Sequence, residues 1–133
     1  MRIRPRKRER GFTLIEMVVV ISLILVLLSI ALPMYNQSIL RAKESTLKQD
    51  LFTLRHVIQQ YTLDKQKAPQ ALDDLVQAHY LKFIPKDPMT GHDDWQVEQE
   101  DSIMSLDQTQ PGIIDVHSAS NLTASDGSTY SSW

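Results

Sequence analysis

Arg10-Gly11-Phe12-Thr13-Leu14-Ile15-Glu16, followed by an apolar run from Met17 to Leu32, is the stretch whose reading decides the fold. Six basic residues precede the glycine: Arg2, Arg4, Arg6, Lys7, Arg8 and Arg10. Phe12 to Leu32 is 21 residues, which as a helix spans about 31 Å, close to the thickness of a bilayer's hydrocarbon layer. One acid, Glu16, stands near its start. A carboxylate in that setting costs roughly 2.5–3.5 kcal/mol on insertion scales, so it needs a partner or a task.

The flanks sharpen this. The chain has 133 residues, no cysteine and a net charge of −2. That length leaves room for one small domain besides the apolar segment. Without cysteine there is neither a disulfide nor thiol catalysis. The net charge conceals an asymmetry: from residue 12 onward eight Lys/Arg stand against fifteen Asp/Glu. No Lys or Arg follows Lys86, while nine acids lie between Asp87 and Asp126. The basic end is expected to stay in the cytoplasm, with the acidic body across the membrane. That acidity also argues against nucleic-acid binding, which rests on phosphate contacts.

Three readings fit Met1–Leu32 by composition. One is a removed secretory signal, with a small-x-small match at Ser29-Ile30-Ala31. Another is a plain membrane anchor. The third is a signal cut on the basic side of the apolar run. The junction favours the third. A short basic leader, Gly11, the aromatic Phe12, and Glu16 four residues later resemble the signal of type IV pilins and pseudopilins, and Pro33 within the helix adds to the likeness. The resemblance implies that prepilin peptidase cuts between Gly11 and Phe12 and methylates the new amino group of Phe12. It also implies that Glu16 pairs with the Phe12 ammonium of a neighbouring subunit during assembly. Glu16 as a mere first-turn acid near the helix dipole is the plainer reading. Pro33 removes a backbone donor and is expected to kink or locally unwind the helix over Ser29–Pro33.

Beyond Pro33 the helical period resumes. Leu47, Leu51, Leu54, Ile58 and Tyr61 form one apolar stripe, while Arg41, Lys43, Glu44, Lys48, Asp50 and Arg55 mostly fall elsewhere. One helix from about Phe12 to about Leu63 is expected, its second half packing on a small domain. A second helix is predicted over Ala71–Tyr80, then a loop punctuated by Pro85 and Pro88. Strands are predicted at Trp95–Glu98, more weakly at Ser102–Leu106, and best at Ile113–Ser118, with a turn at Asp107–Gly112. The polar tail Ala119–Trp133 reads as loop, but Tyr130 and Trp133 are costly to leave in water and are expected to dock it.

The expected fold is thus α+β and pilin-like: a long helix packed on a short helix and a small antiparallel sheet. The expected segments are a leader (1–11), a transmembrane or filament-core helix (12–34), a soluble stem (35–64) and a small cap (65–133). The order resembles the G-type major pseudopilins of type II secretion systems, including the loop Ile84-Pro85-Lys86-Asp87-Pro88. Those proteins carry calcium in the last loop. Here Asp126 is the one acid after Ser118. With Ser118 and Asn121 as the other candidate ligands, a single carboxylate predicts weak binding at best, and no cofactor is expected.

Catalytic patterns are missing. His56, His79, His92 and His117 lack metal-binding spacing and read as surface or satisfied sheet residues, and no phosphate loop or nucleophile motif occurs. The expectation is a non-enzymatic subunit that forms a helical homo-oligomer, the pseudopilus, and drives export across the outer membrane. The resemblance implies prepilin peptidase, minor pseudopilins, an inner-membrane platform protein and a cytoplasmic assembly ATPase as partners. It implies single-pass residence in the bacterial inner membrane, with the C-terminal domain in the periplasm. A minor pilin or competence pseudopilin is the alternative in the same class, and a membrane-anchored periplasmic binding domain the alternative outside it.

Overall fold

The computed structural model describes residues 11–100 and 111–133. Helix α1 runs Leu14–Lys65 and helix α2 Leu72–Gln77. Strands β1, Gln96–Glu100, and β2, Gly112–His117, follow, and a 3₁₀ turn covers Tyr130–Ser132. The chain divides into two units, one ending at Ser38 and the other spanning Ile39–Trp133.

In the first unit, Thr13 caps α1: its Oγ1 accepts the Glu16 backbone N–H at 3.2 Å. Every residue from Leu14 to Lys43 is exposed. Within this surface Ser22 and Ser29 donate their hydroxyls to the carbonyls of Val18 and Val26, at 2.8 and 2.7 Å. Back-bonding of this kind hides a polar group on an apolar helix. The helix is long and apolar enough to cross a membrane. It stays α-helical through Pro33, without local unwinding over Ser29–Pro33 in the single chain. Proline removes one N–H, and the regular turns on both sides hold the helix across that single gap.

In the second unit the predicted stripe is buried. Leu47, Leu51, Leu54, Ile58 and Tyr61 form one core with Leu75 of α2, Trp95, Ile113 and Val116 of β2, Ala124 and Tyr130. Helix α2 is shorter than the predicted Ala71–Tyr80. Its front is closed by Asp74, whose Oδ2 accepts the N–H groups of Gln70 and Ala71 at 3.0 and 3.1 Å. Its end comes where His79 turns into the left-handed region, φ 63°. The loop after it folds around Asp87, which is fully buried. Asp87 Oδ1 accepts the Met89 N–H at 2.8 Å, and Oδ2 accepts the Ser118 hydroxyl. Trp95 Nε1 donates to the Pro85 carbonyl at 2.7 Å, closing the loop onto the core.

Strands β1 and β2 are antiparallel, with Gln96 opposite His117, Val97 opposite Val116 and Glu98 opposite Asp115. An irregularity after Glu98 moves Gln99 opposite Ile113, leaving Ile114 without a register partner. β1 is exposed along its length, whereas β2 buries Gly112, Ile113 and Val116. The strand predicted at Ser102–Leu106, and most of the turn at Asp107–Gly112, lie outside the described residues. The tail docks as predicted: Tyr130 is buried, and its ring meets Trp133 edge-on at 5.2 Å.

Candidate functional site

Two places concentrate polar chemistry that the fold alone does not require. The first is the junction ahead of α1. Gly11, Phe12 and Thr13 are exposed and non-helical. Among the described residues, chain neighbours aside, nothing lies within 4 Å of where a Cβ on Gly11 would stand, which leaves that side of the Gly11–Phe12 peptide open to approach. Glu16 occupies the first turn of α1, with only its backbone N–H engaged by Thr13. Among the described residues no cation pairs with its carboxylate. As far as the described residues go, the side chain is open to a partner from outside the subunit.

The second place is a clasp that joins α1 to the tail, and the local sequence pattern missed it. Glu44 stands three residues before Leu47 and continues the stripe rather than falling elsewhere on the helix; it is buried. Its Oε1 accepts the Ser125 N–H and the Tyr130 hydroxyl, both at 2.8 Å, and its Oε2 accepts the Ser125 hydroxyl at 2.6 Å. The Ser125 hydroxyl and N–H hold the Glu44 carboxyl below its usual range, outweighing desolvation, with the Tyr130 hydroxyl adding to the same side. Burial, and after it the bond to Glu44, pushes the Tyr130 phenol up to about 12. The signal that could have found Glu44 is its phase: an acid at stripe spacing must be either misplaced or satisfied.

Arg55 ties the far end of the tail to the sheet. Its Nε donates to Asp115 Oδ1 at 2.5 Å, and its Nη2 to the main-chain oxygens of Val116 and Trp133 at 2.9 and 2.6 Å. Lys48 places its ammonium 4.4 Å from the centre of the Trp133 ring. Trp133 Nε1 donates to Ser128 Oγ at 2.6 Å.

The three calcium candidates are engaged or turned outward separately. Ser118 is buried and donates to Asp87. Asp126 is exposed, its Oδ1 accepting the N–H and hydroxyl of Ser128 at 2.9 and 2.5 Å. Asn121 is exposed. None of the hydrogen bonds seen among the described residues joins one of the three to another.

Comparison with known proteins bears on both places. Residues 6–32 match the model of the prokaryotic N-terminal methylation motif. The chain is 32% identical over 101 residues to type II secretion system core protein G of Escherichia coli (strain K12), covering 64% of this chain and 70% of that protein. It is 30% identical over 128 residues to core protein G of Klebsiella pneumoniae, covering 84% of each. Similarity to type IV major fimbrial protein FimA of Dichelobacter nodosus, 36% over 62 residues, reaches 47% of this chain and 39% of that one. No solved structure matches.

Proposed function

The chain belongs to the type II secretion system core protein G family, and from that premise we propose that it is a structural subunit of a secretion pseudopilus, without catalysis of its own. The observation that carries this reading is the bare apolar helix. From Leu14 to Lys43 every residue of α1 is exposed, most of them large and apolar up to Leu32. The following domain meanwhile has a complete core of its own. An apolar surface of that extent must be covered. Lipid covers it in the stored subunit, and other copies of the same helix cover it in a filament.

In this reading the basic leader holds the amino terminus in the cytoplasm and the domain in the periplasm, with one pass through the inner membrane. Prepilin peptidase reaches the open Gly11–Phe12 peptide and methylates the new amino group. Removing the leader takes six basic residues away and leaves a single ammonium at Phe12. Glu16 supplies the counter-charge across subunits. A platform protein and a cytoplasmic ATPase supply the work, and minor pseudopilins start the filament. Similarity to core protein G extends over the domain as well as the helix, whereas the fimbrial likeness covers under half of the chain. This supports export over a pilus as the task.

Mass spectrometry of the subunit from membranes tests the processing. The expected species begins at Phe12, has 122 residues and carries one methyl group on its amino terminus. Cleavage after Ala31, or an intact leader, would overturn the reading.

We propose further that the tail is held by its clasp and not by calcium. The support is the Glu44 carboxylate, which engages the Ser125 N–H and hydroxyl inside the loop, together with the shortage of acids there. Calcium at a hundred times its dissociation constant stabilises by about 2.7 kcal/mol, worth about 10 °C or more in Tm for a domain of this size. Exchanging EGTA for millimolar calcium is expected to move Tm of the detergent-solubilised chain by less than about 1 °C, against that scale. A rise of many degrees would refute it.

A further inference from the structure

Three metal-ligating side chains converge on the sheet, beside the Arg55 tie and apart from the Glu44 clasp. Glu98 and Asp115 are direct register partners across β1 and β2. Like charges facing one another across a strand pair repel, and Arg55 meets only the Oδ1 side of Asp115, so a cation between Glu98 and Asp115 Oδ2 relieves what remains. His117 lies two residues beyond Asp115, on the same face of β2. Its Nε2 is 3.7 Å from Glu98 Oε2 and 3.8 Å from Asp115 Oδ2. One ligand atom from each of the three residues lies within 4.8 Å of the other two. These separations are too long for hydrogen bonds. They are close to the edge of a coordination polyhedron, since bonds of about 2.0–2.2 Å in a tetrahedron set ligand atoms about 3.4 Å apart.

The other atoms of the ligands are already committed, which aims the free ones. His117 Nδ1 donates to the main-chain oxygen of Trp133 at 2.8 Å. In the neutral ring this leaves the lone pair on Nε2, the arrangement that outer-shell partners impose on metal-binding histidines. Asp115 Oδ1 is taken by Arg55 Nε at 2.5 Å and by the Val116 N–H at 2.8 Å, leaving Oδ2 toward the cluster. Glu98 is the most exposed member, its side chain 59% exposed. The irregularity just after Glu98 adds local twist, a common device for re-aiming a side chain beside a site.

We propose that Glu98, Asp115 and His117 bind one first-row divalent transition ion, of which zinc is the representative, with water completing its shell. Imidazole with two carboxylates suits zinc and its neighbours, whereas calcium takes six to eight oxygens. The bound ion joins β1 to β2 and, through His117, steadies the Trp133 end of the tail.

The test titrates Zn²⁺ into the full, untagged chain in detergent micelles, in competition with a chromophoric chelator. One zinc per chain is expected, undisturbed by a large excess of calcium. Glu98→Gln is expected to weaken binding by about 10-fold or more and His117→Gln by about 100-fold or more, given that loss of an outer-shell partner alone costs 10–100-fold. Among the described residues the recorded interaction of the Glu98 side chain is with His117, so Glu98→Gln keeps the fold, which an unchanged zinc-free Tm verifies. Absence of stoichiometric zinc binding in the parent chain would overturn the proposal. Parent-like affinity in both variants would overturn it too, because the zinc would then sit elsewhere, for example on His56, His79 or His92.

Discussion

Cells carrying Glu16→Leu are expected to make, insert and process the subunit normally, yet to form no pseudopili and export no cargo. Each step has a separate physical cause. The start of α1 survives, because Thr13 caps the Glu16 backbone N–H and leucine retains that group. Membrane storage is not weakened, since removing a carboxylate from the first turn of an apolar helix lowers its insertion cost. The loss falls on assembly alone. In the packed helices of a filament the Phe12 ammonium is left without its counter-charge, a penalty of about 3–5 kcal/mol. At 1.4 kcal/mol per tenfold, that is roughly 10²–10³ or more in each subunit's association constant. Every subunit added meets the same penalty, so a filament cannot average it away. The measurement is paired: immunoblots of membranes for cleaved subunit, and electron microscopy of sheared filaments with an assay of exported protein. Parent levels of filaments and export would refute the pairing role. Glu16→Asp, one methylene shorter, is expected to fall between.

What could be read from residues alone follows from the range of the signals. The stripe Leu47, Leu51, Leu54, Ile58 and Tyr61 was legible because helical packing repeats every three or four residues. β2 was legible from its β-branched residues Ile113, Ile114 and Val116. Docking of Tyr130 and Trp133 followed from the cost of hydrating two rings beside a polar tail. Glu44 was misread because a charge on a helix is ordinarily a surface charge. Its partners, Ser125 and Tyr130, lie more than eighty residues away. The length of α2 was misread because no glycine marks its stop; His79 makes the turn instead, one of the few side chains other than glycine that enter the left-handed region with some frequency. Glu98, Asp115 and His117 come together through strand register, which spacing along the chain does not encode. The junction at Gly11–Glu16 was legible in full because its chemistry is contiguous.

Replacing Glu44 by leucine is expected to destabilise the domain by about 3 kcal/mol or more, a large share of the 5–15 kcal/mol of a typical domain. The buried Tyr130 hydroxyl loses its acceptor, and the Ser125 N–H and hydroxyl lose theirs. Leucine restores none of these bonds, whereas Glu44→Gln keeps an acceptor for some of them and is expected to cost less. The clasp also gives stability a dependence on pH whose sign can be worked out. Glu44 titrates below its ordinary 4.5 in the folded chain. Its contribution is therefore fully present above about pH 4.5 and is lost as pH falls through the lower folded value. Tyr130 is displaced the other way, from 10.0 to about 12. Its contribution is present below pH 10 and is lost as pH rises from there toward about 12. The same contact therefore loosens at both extremes, by protonation of the acceptor in acid and ionisation of the donor in alkali. Asp126 is also lowered, and Tyr61 and Tyr80 are also raised, so each limb has to be assigned by difference from the parent. Near-ultraviolet circular dichroism during thermal unfolding reports the packing of Tyr130 against Trp133 directly. Glu44→Gln should flatten the acid limb, and Tyr130→Phe should flatten the alkaline one while leaving the larger, Ser125-dependent part of the acid limb in place. An acid limb unchanged in Glu44→Gln would mean that the carboxylate does not hold the tail. Because Glu44 lies on α1, the clasp fixes the tail to the part of that helix on which the domain's core is built.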